Sequence, residues 1–195
     1  KLCDIFILDA FATSHRYHAS TTGVINFAEH ACAGFLVKEE LEALQRMDKA
    51  RRPIIAVLGG AKISSKLSLI NALSEKVDYL ILGGGIANTC LGSQGIEIGS
   101  SLSEVSMYEE AKILAEKNNV LLPKEVLVAK NKESLVRETG VTSLTREDCI
   151  FDISPNFVSS LEHLFNKAGT IIWNGPMGLF EIDKFFSGTK AVADS

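Results

Sequence analysis

Two lysines stand four residues apart in the stretch AVLGGAKISSKLSLINAL, which covers residues 56–73. An apolar run leads into a glycine pair and a helical pattern over 64–75 follows, which predicts Lys62 and Lys66 on one face of the first helical turns. A helix N-terminus carries about half a positive charge, so each cation there costs roughly 0.3–1 kcal/mol. Glycine lets backbone amides approach an oxyanion closely. The pattern therefore favours an anion site over two lysines that extend into water.

Three adjacent glycines follow a second apolar run, in the stretch LILGGGIANT at 80–89. Such glycines either present a flat surface against which a ring or a phosphate can lie, or let a helix and a strand pack closely. From these residues alone both interpretations stay open.

A third stretch, WNGPMGLFE at 173–181, combines a strand end, a Gly-Pro turn and an acid. Asn174 can donate to a phosphate oxygen, Pro176 stiffens an apolar wall, and Glu181 can accept both hydroxyls of a ribose. Taken singly, Glu181 equally fits a solvated acid at a helix start.

Basic side chains crowd into the stretch DAFATSHRYH at 9–18, where Asp9 ends an apolar run. Arg16 is suited to bidentate capture of a carboxylate or a phosphate. His18 is interpreted as a structural hydrogen-bonding residue rather than a catalyst.

Two common nucleotide motifs are absent from the sequence. The turn that contains the lysines does not match GxxxxGK[ST], and no GxGxxG follows an apolar run. A dinucleotide-dependent oxidoreductase therefore stays only as a weak alternative.

Short apolar runs rich in Ile, Val and Leu recur along the chain, at 4–11, 53–60, 78–85, 119–123, 125–129 and 170–176. Continuous rather than alternating runs are typical of strands that are buried on both faces. Helical patterns lie between them, at 33–50, 64–75, 87–92, 104–118 and 155–167. This alternation predicts an α/β fold, a doubly wound parallel sheet with helices on both faces in a Rossmann-like three-layer arrangement. Such sheets bind ligands at the carboxyl ends of their strands, where three of these runs reach glycine-rich turns.

Composition excludes several classes of partner. The chain has 195 residues and a formal net charge of -4, and it lacks the broad basic face that nucleic acid or an anionic membrane requires. No apolar run is long enough to span a bilayer. The four cysteines, Cys3, Cys32, Cys90 and Cys149, have no CxxC spacing, which indicates buried free thiols in a reducing cytoplasm rather than disulfides or zinc ligands.

The quoted stretches together resemble the phosphoglycerate kinase family. With LLP at 121–123 and GT at 188–189, they occur in the same order and at similar spacings as in that family, over essentially the whole chain. The resemblance implies reversible phosphoryl transfer between 1,3-bisphosphoglycerate and ADP, which gives 3-phosphoglycerate and ATP. It implies ADP or ATP with Mg²⁺ as the nucleotide, other small-molecule substrates as partners, a monomer, and a cytoplasmic location.

The resemblance also implies a division of the chain. Residues 1–32 match the tail of an N-terminal phosphoglycerate-binding domain, 33–50 an interdomain helix with Glu40 at the place of a hinge glutamate, and 51–195 an incomplete C-terminal nucleotide-binding domain. The sequence starts without methionine inside a predicted strand, so we expect an excised piece, truncated at both ends. We expect this chain alone to be inactive and still to bind ADP weakly, which leaves a nucleotide-binding module as the alternative.

Individual roles carry over position by position. By resemblance Lys62 stabilises the transferring phosphoryl group, Lys66 holds nucleotide phosphates, and Arg16 faces the phosphoglycerate. The implied nucleotide site also includes Gly59, Gly60, Ala61, Gly83, Gly84, Leu122, Asn174, Pro176 and Glu181. The implied metal ligand falls outside this chain, so none is assigned. Ala12 and Tyr17 depart from the family pattern and weaken the inference on how Arg16 is presented.

Overall fold

The structure is a computed structural model that describes residues 3–195, so the first two residues of the predicted segment 1–32 lie outside the described part. The chain divides into two compact units, one that ends at Ala50 and one that begins at Arg51. Each unit is considered by itself.

The first unit contains a small parallel pair of strands and a longer helix. Its elements are β1 (Ile5–Leu8), α1 (Phe11–Ser14), a π-helical turn (Ala19–Gly23), a 3₁₀ turn (Val24–Phe27), β2 (His30–Ala33), α2 (Phe35–Gln45) and a 3₁₀ turn (Arg46–Lys49). The helix predicted from residue 33 begins two residues later, because Ala33 pairs with Leu8 in the sheet. The backbone N–H of Val37 then donates to Asp9 Oδ1 at 3.0 Å, so Asp9 satisfies one of the free amides of the first turn of α2.

The second unit is built around a parallel sheet in the order β5-β4-β3-β9. Its elements before the second sheet are β3 (Ile54–Leu58), α3 (Leu67–Lys76), β4 (Tyr79–Leu82), α4 (Gly84–Ser93), a 3₁₀ turn (Val105–Met107), α5 (Tyr108–Ala115) and β5 (Val120–Leu121). The later elements are β6 (Glu125–Ala129), β7 (Arg137–Gly140), a 3₁₀ turn (Val141–Ser143), β8 (Cys149–Ile153), α6 (Pro155–Ser160), α7 (Glu162–Phe165), β9 (Thr170–Asn174), a 3₁₀ turn (Asp183–Phe185) and α8 (Ser187–Asp194). The predicted α/β fold with a parallel sheet flanked by helices is confirmed.

The central strands are buried as their sequences predict. All five residues of β3 are buried, and burial of an aliphatic side chain of this size stabilises the fold by about 1.5–3 kcal/mol. The prediction of burial on both faces is wrong for β9, where Ile171 is 49% and Trp173 40% exposed. Within residues 3–195, β9 is the last strand on its side of the sheet and pairs only with β3.

A second, antiparallel sheet in the order β7-β6-β8 was not predicted. The apolar run 125–129, expected in the parallel sheet, forms β6 at its centre. The sequence did not predict the two strands that pair with β6. Strand β7 is RETG, which has no apolar run, and β8 is CIFDI, in which an acid interrupts the apolar run. The register between β6 and β8 shifts after Leu127, so that Phe151 is an extra residue on β8. Such a bulge re-aims the neighbouring side chains.

Several helix bounds and one property of the cysteines also differ from prediction. The pattern at 155–167 is two helices, because the chain leaves helical geometry at Leu161. The pattern at 104–118 is a 3₁₀ turn followed by α5, and that at 87–92 starts earlier, at Gly84. All four cysteines are free as predicted, but Cys3 and Cys32 are exposed rather than buried.

Candidate functional site

Three glycine turns meet at the carboxyl edge of the parallel sheet. Leu58, the last residue of β3, is in register with Leu82 of β4 and with Asn174 of β9. The turns that follow these residues therefore start at the same level. Chain order reverses between β3 and β9, and a parallel α/β sheet binds ligands at such a switch point.

The turns interlock through their backbones. The N–H of Gly59 donates to Asn174 O at 3.0 Å, and the N–H of Gly83 donates to Leu58 O at 2.9 Å. Gly175 has φ +84°, and a Cβ there would lie 2.5 Å from Gly59 O. A Cβ on Gly85 would overlap Ala61 O. Glycine is thus required by the close packing of the turns, and the same packing leaves backbone groups at the surface of the site.

Lys66 joins two of these turns. Its Nζ donates to Gly59 O at 2.8 Å and to Asn174 Oδ1 at 2.6 Å, which ties the β3 turn to the β9 turn. The side chain is half-buried, and burial lowers its pKa from the usual lysine value. The ammonium group is therefore fixed at the strand ends by two neutral acceptors.

The predicted placement of the lysines within a helix is wrong. Lys66 is the N-cap of α3 with a non-helical backbone, and Lys62 lies in the turn before it. Ser65 Oγ donates to Lys62 O at 2.9 Å, which stabilises this turn in place of a first helical turn. The unfavourable interaction with the helix dipole that the sequence predicted for both lysines therefore applies only to Lys66.

Glu104 is a residue that sequence reasoning missed. Its carboxylate accepts from the backbone N–H of Ser64 at 2.9 Å and from Ser64 Oγ at 2.6 Å. These hydrogen bonds, the hydroxyl one first, lower the pKa of Glu104, and the charge of Lys62 lowers it further. Glu104 thus holds the lysine turn from 40 residues away, a separation for which the sequence carries no local signal.

A cavity of about 330 Å³ opens beside the glycine turns. Its lining combines backbone from the turns with strand β8 and the 176–181 segment, and includes the predicted residues Gly60, Ala61, Gly84, Pro176 and Glu181. The predicted residues Gly59, Lys66, Gly83 and Asn174 adjoin this lining through the contacts given above, and Lys62 follows Ala61 in the same turn. The lining is mostly apolar with a few convergent polar groups, which is typical of a small-molecule site.

Two of the predicted site residues lie elsewhere. Leu122 lines a second cavity of about 360 Å³, together with Leu91, Val141 and Phe157, and only its neighbour Pro123 lines both cavities. Arg16 belongs to the first compact unit, where its side chain is exposed and its carbonyl accepts from Thr21 Oγ1 at 2.7 Å.

Asp152 is a second residue that the sequence did not single out. It lines the first cavity, is 1% exposed, and accepts from the backbone N–H groups of Gly188 at 2.6 Å and Ile153 at 2.9 Å. Burial raises its pKa to about 7, against the opposing effect of these hydrogen bonds. A buried acid in a cavity with a strongly shifted pKa is a common feature of functional sites.

Two kinds of feature were not found in the described part of the chain, a cluster of metal ligands and a membrane-spanning helix. Among the side chains that the structure describes in residues 3–195, which leave out that of Asp48, no group of three or more from His, Cys, Asp and Glu is placed to hold a metal ion. None of the helices in the described part of the chain has the length and apolar character needed to cross a bilayer.

The fold and the site define an α/β protein of the class that binds ligands at the carboxyl edge of a parallel sheet. The family model for phosphoglycerate kinase matches residues 1–195. The chain therefore belongs to the phosphoglycerate kinase family.

Individual relatives agree with this membership. A phosphoglycerate kinase of Coxiella burnetii (strain RSA 493 / Nine Mile phase I) is 46% identical over 203 residues, a match to 100% of this chain and 52% of the relative. The solved phosphoglycerate kinase structure from Coxiella burnetii matches 99% of this chain and 52% of its own, with a TM-score of 0.89. The crystal structure of phosphoglycerate kinase from Pyrococcus horikoshii OT3, 27% identical, matches 98% of this chain and 51% of its own with a TM-score of 0.83. The chain spans about half the length of these relatives.

Proposed function

We propose that this chain supplies the nucleotide site of a phosphoglycerate kinase, which transfers a phosphoryl group between 1,3-bisphosphoglycerate and ADP. The observation that carries the proposal is the junction at the switch point, where Lys66 binds both Gly59 O and Asn174 Oδ1 beside a glycine-walled cavity. Family membership supports the reaction, and this junction supports the assignment of Lys66 to the nucleotide phosphates.

In the ATP-forming direction, an oxygen of the terminal phosphate of ADP attacks the acyl phosphate. A new P–O bond forms, the P–O bond to the acyl oxygen breaks, and 3-phosphoglycerate leaves as a carboxylate. The attacking oxygen is already deprotonated, so no general base is needed. Positioning and charge stabilisation then supply most of the rate enhancement.

The two lysines divide this work. Lys66 is fixed at the strand ends and is assigned to the nucleotide phosphates, because its ammonium cannot move without breaking two hydrogen bonds. Lys62 is exposed on the turn held by Glu104, with its ammonium free of hydrogen bonds to the backbone of the glycine turns. It is assigned to the transferring phosphoryl group.

The remaining assignments follow the cavity. Gly60, Ala61 and Gly84 form the wall against which the adenine lies, Pro176 closes it, and Glu181 accepts the ribose hydroxyls. Gly59, Gly83 and Asn174 set the spacing of the turns. Leu122 is assigned to the nucleotide by family resemblance alone, since it lines the second cavity.

Two assignments reach beyond this cavity. Arg16 is assigned to the phosphoglycerate, and the domain division at 1–32, 33–50 and 51–195 belongs to the same proposal. Mg²⁺ is expected with the nucleotide, because magnesium is usually held by substrate phosphates with one or two carboxylates. The described side chains form no cluster of three or more such ligands, and none of the Mg²⁺ contacts is assigned to this chain. The proposal also includes a monomer in the cytoplasm, a compartment with which four free cysteines agree.

The test uses a chimera in which this chain replaces the matching 52% of the Coxiella burnetii enzyme. A coupled assay of ATP formation is expected to show turnover, and Lys62→Ala is expected to lower kcat by roughly 10²–10⁴ with a smaller effect on ADP affinity. Lys66→Ala is expected to raise the KM for ADP as well. Lys76→Ala, an exposed lysine at the far end of α3, is the control. A Lys62→Ala chimera with kcat within twofold of the parent would remove the catalytic assignment.

A further inference from the structure

Asp152 occupies an unusual place for a carboxylate. It lies one residue before the end of β8, just after the bulge at Phe151, and it is buried. Its partners are backbone amides, Gly188 N–H on Oδ2 and Ile153 N–H on Oδ1, with the N–H of Thr189 as a third donor. A carboxylate that accepts several amides is held in one orientation, since each donor restricts the group in a different direction.

The side chain of Asp152 is closely packed against two glycines, Gly188 and Gly178. A Cβ on Gly188 would lie 2.7 Å from Asp152 Oδ1, and a Cβ on Gly178 would come closer still to the same atom. Because Phe151 is the bulged residue, its carbonyl accepts the N–H of Leu179 at 2.7 Å. The end of β8 therefore packs directly on both the first turn of α8 and the 178–179 segment.

The first turn of α8 also contacts Met177, which lines the first cavity. Thr189 Oγ1 accepts the N–H of Met177 at 3.0 Å, and Met177 O accepts the N–H of Gly84 at 2.8 Å. Met177 is fully buried, and a Cβ on Gly83 would lie 2.5 Å from its Cε. A continuous set of contacts thus runs from Asp152 through Thr189 and Met177 to the glycine turn at 83–85.

We infer that Asp152 is a positioning residue, which fixes the first turn of α8 and through it the Met177 wall of the cavity, so that nucleotide affinity depends on its carboxylate. The inference rests on the proposed function, because the ligand of the cavity is taken to be a nucleotide. Asp152 would thus act on the nucleotide site through Thr189 and Met177, without contact to Lys62 or Lys66.

The ionised form is the one that fits these donors. A proton on either oxygen would place an O–H among backbone N–H groups and remove an acceptor site. Beside Asp152, the ionisable side chains that line the cavity are Lys132, Cys149 and Glu181. The first turn of α8 has no acid, and its one ionisable side chain, Lys190, pairs with Asp194 one turn further along the helix. Asp183 and Lys184 lie in the 3₁₀ turn before α8, and Leu127 is the residue opposite Asp152 on β6. Burial, not a charged neighbour, is the cause of the raised pKa of Asp152.

The test compares Asp152→Asn with Asp148→Asn in the 195-residue chain, by ADP titration at pH 8. Asp148 is a matched control because it is a buried carboxylate on the loop into the same strand that binds Arg137 and Thr145 instead of α8. Asp152→Asn is expected to weaken ADP at least about fivefold, a typical size for coupling between neighbouring elements. Asp148→Asn is expected to leave ADP within twofold of the parent. Equal affinities for Asp152→Asn and the parent, or equal losses in both variants, would overturn the inference.

Two further experiments test the inference independently, one with Thr189 variants and one with adenosine at two pH values. If Asp152→Asn fails to fold, Thr189→Val is expected to weaken ADP and Thr189→Ser to restore it, and equal binding by both would overturn the inference. Adenosine, which has no group that titrates between pH 5.5 and 8.5, is expected to bind the parent more weakly at pH 5.5 than at pH 8.5, and a flat profile would contradict this. A parent chain that binds no ADP at all would instead contradict the proposed function.

Discussion

Gly59→Ala tests whether the strand-end turns interlock as tightly as the structure indicates. A Cβ on Gly59 would lie 1.7 Å from Pro176 O, whereas real Cβ atoms essentially never come within 3.0 Å of another heavy atom. The β3 and β9 turns must then separate by about 1.3 Å, since both colliding groups are rigid backbone. Overpacking of this kind costs about 1–3 kcal/mol, and strain on the hydrogen bond from Gly59 N–H to Asn174 O adds about 1 kcal/mol.

We therefore expect Gly59→Ala to lower the free energy of unfolding by about 2–4 kcal/mol. The assay is urea unfolding followed by the fluorescence of Trp173, the single tryptophan, whose indole N–H donates to Gly175 O at 2.7 Å in the same turn. Gly140→Ala is the control, because a Cβ there meets nothing closer than 3.8 Å. If the unfolding free energies of the two variants lie within about 0.5 kcal/mol of each other, the size of an ordinary surface substitution, the turns are not packed as tightly as described.

Three further outcomes are expected. Asp78→Asn should cost about 1–2 kcal/mol of stability at pH 7, because the hydrogen bond from Ile54 N–H lowers the pKa of Asp78 and so stabilises the fold above the ordinary aspartate pKa. In acid titrations of unfolding, the difference from the parent should shrink as the pH falls below that ordinary pKa. Cys3 and Cys32 should react rapidly with a thiol reagent, while Cys90, whose pKa burial raises to about 12, should react only after unfolding in urea. Glu181→Ala should weaken ADP by about 1.5–3 kcal/mol and its 2′,3′-dideoxy analogue far less, and equal losses in calorimetry would place Glu181 away from the ribose.

The sequence was most informative where local chemistry decides the structure. The apolar runs of β3 and β4 are continuous and end in glycine, so their burial and their turns were predictable. The meeting of the glycine turns at one edge of the sheet was predictable as well, because the carboxyl ends of parallel strands lie together.

Long-range contacts account for what the sequence did not predict. The lysine turn is held by Glu104 from another part of the chain, so the helical pattern that follows it started too early in the prediction. Asp152 is buried next to a bulge in β8 and binds α8, and neither the bulge nor the antiparallel sheet has a periodic signal in the sequence. Leu122 matched a motif by position, yet the structure places it on the wall of a different cavity.

Nucleotide binding in the cavity beside the glycine turns is the claim to test first. The ¹⁵N-labelled 195-residue chain is titrated with ADP, and the titration is followed by amide chemical shifts. We expect shifts centred on Gly60, Gly84 and Glu181, with a Kd of about 0.1 mM or weaker, which corresponds to about -5.5 kcal/mol. Glu162 and Asn166, exposed on and beside α7, should not respond. Amide shifts that stay flat up to millimolar ADP, or that appear only away from the glycine turns, would contradict the claim.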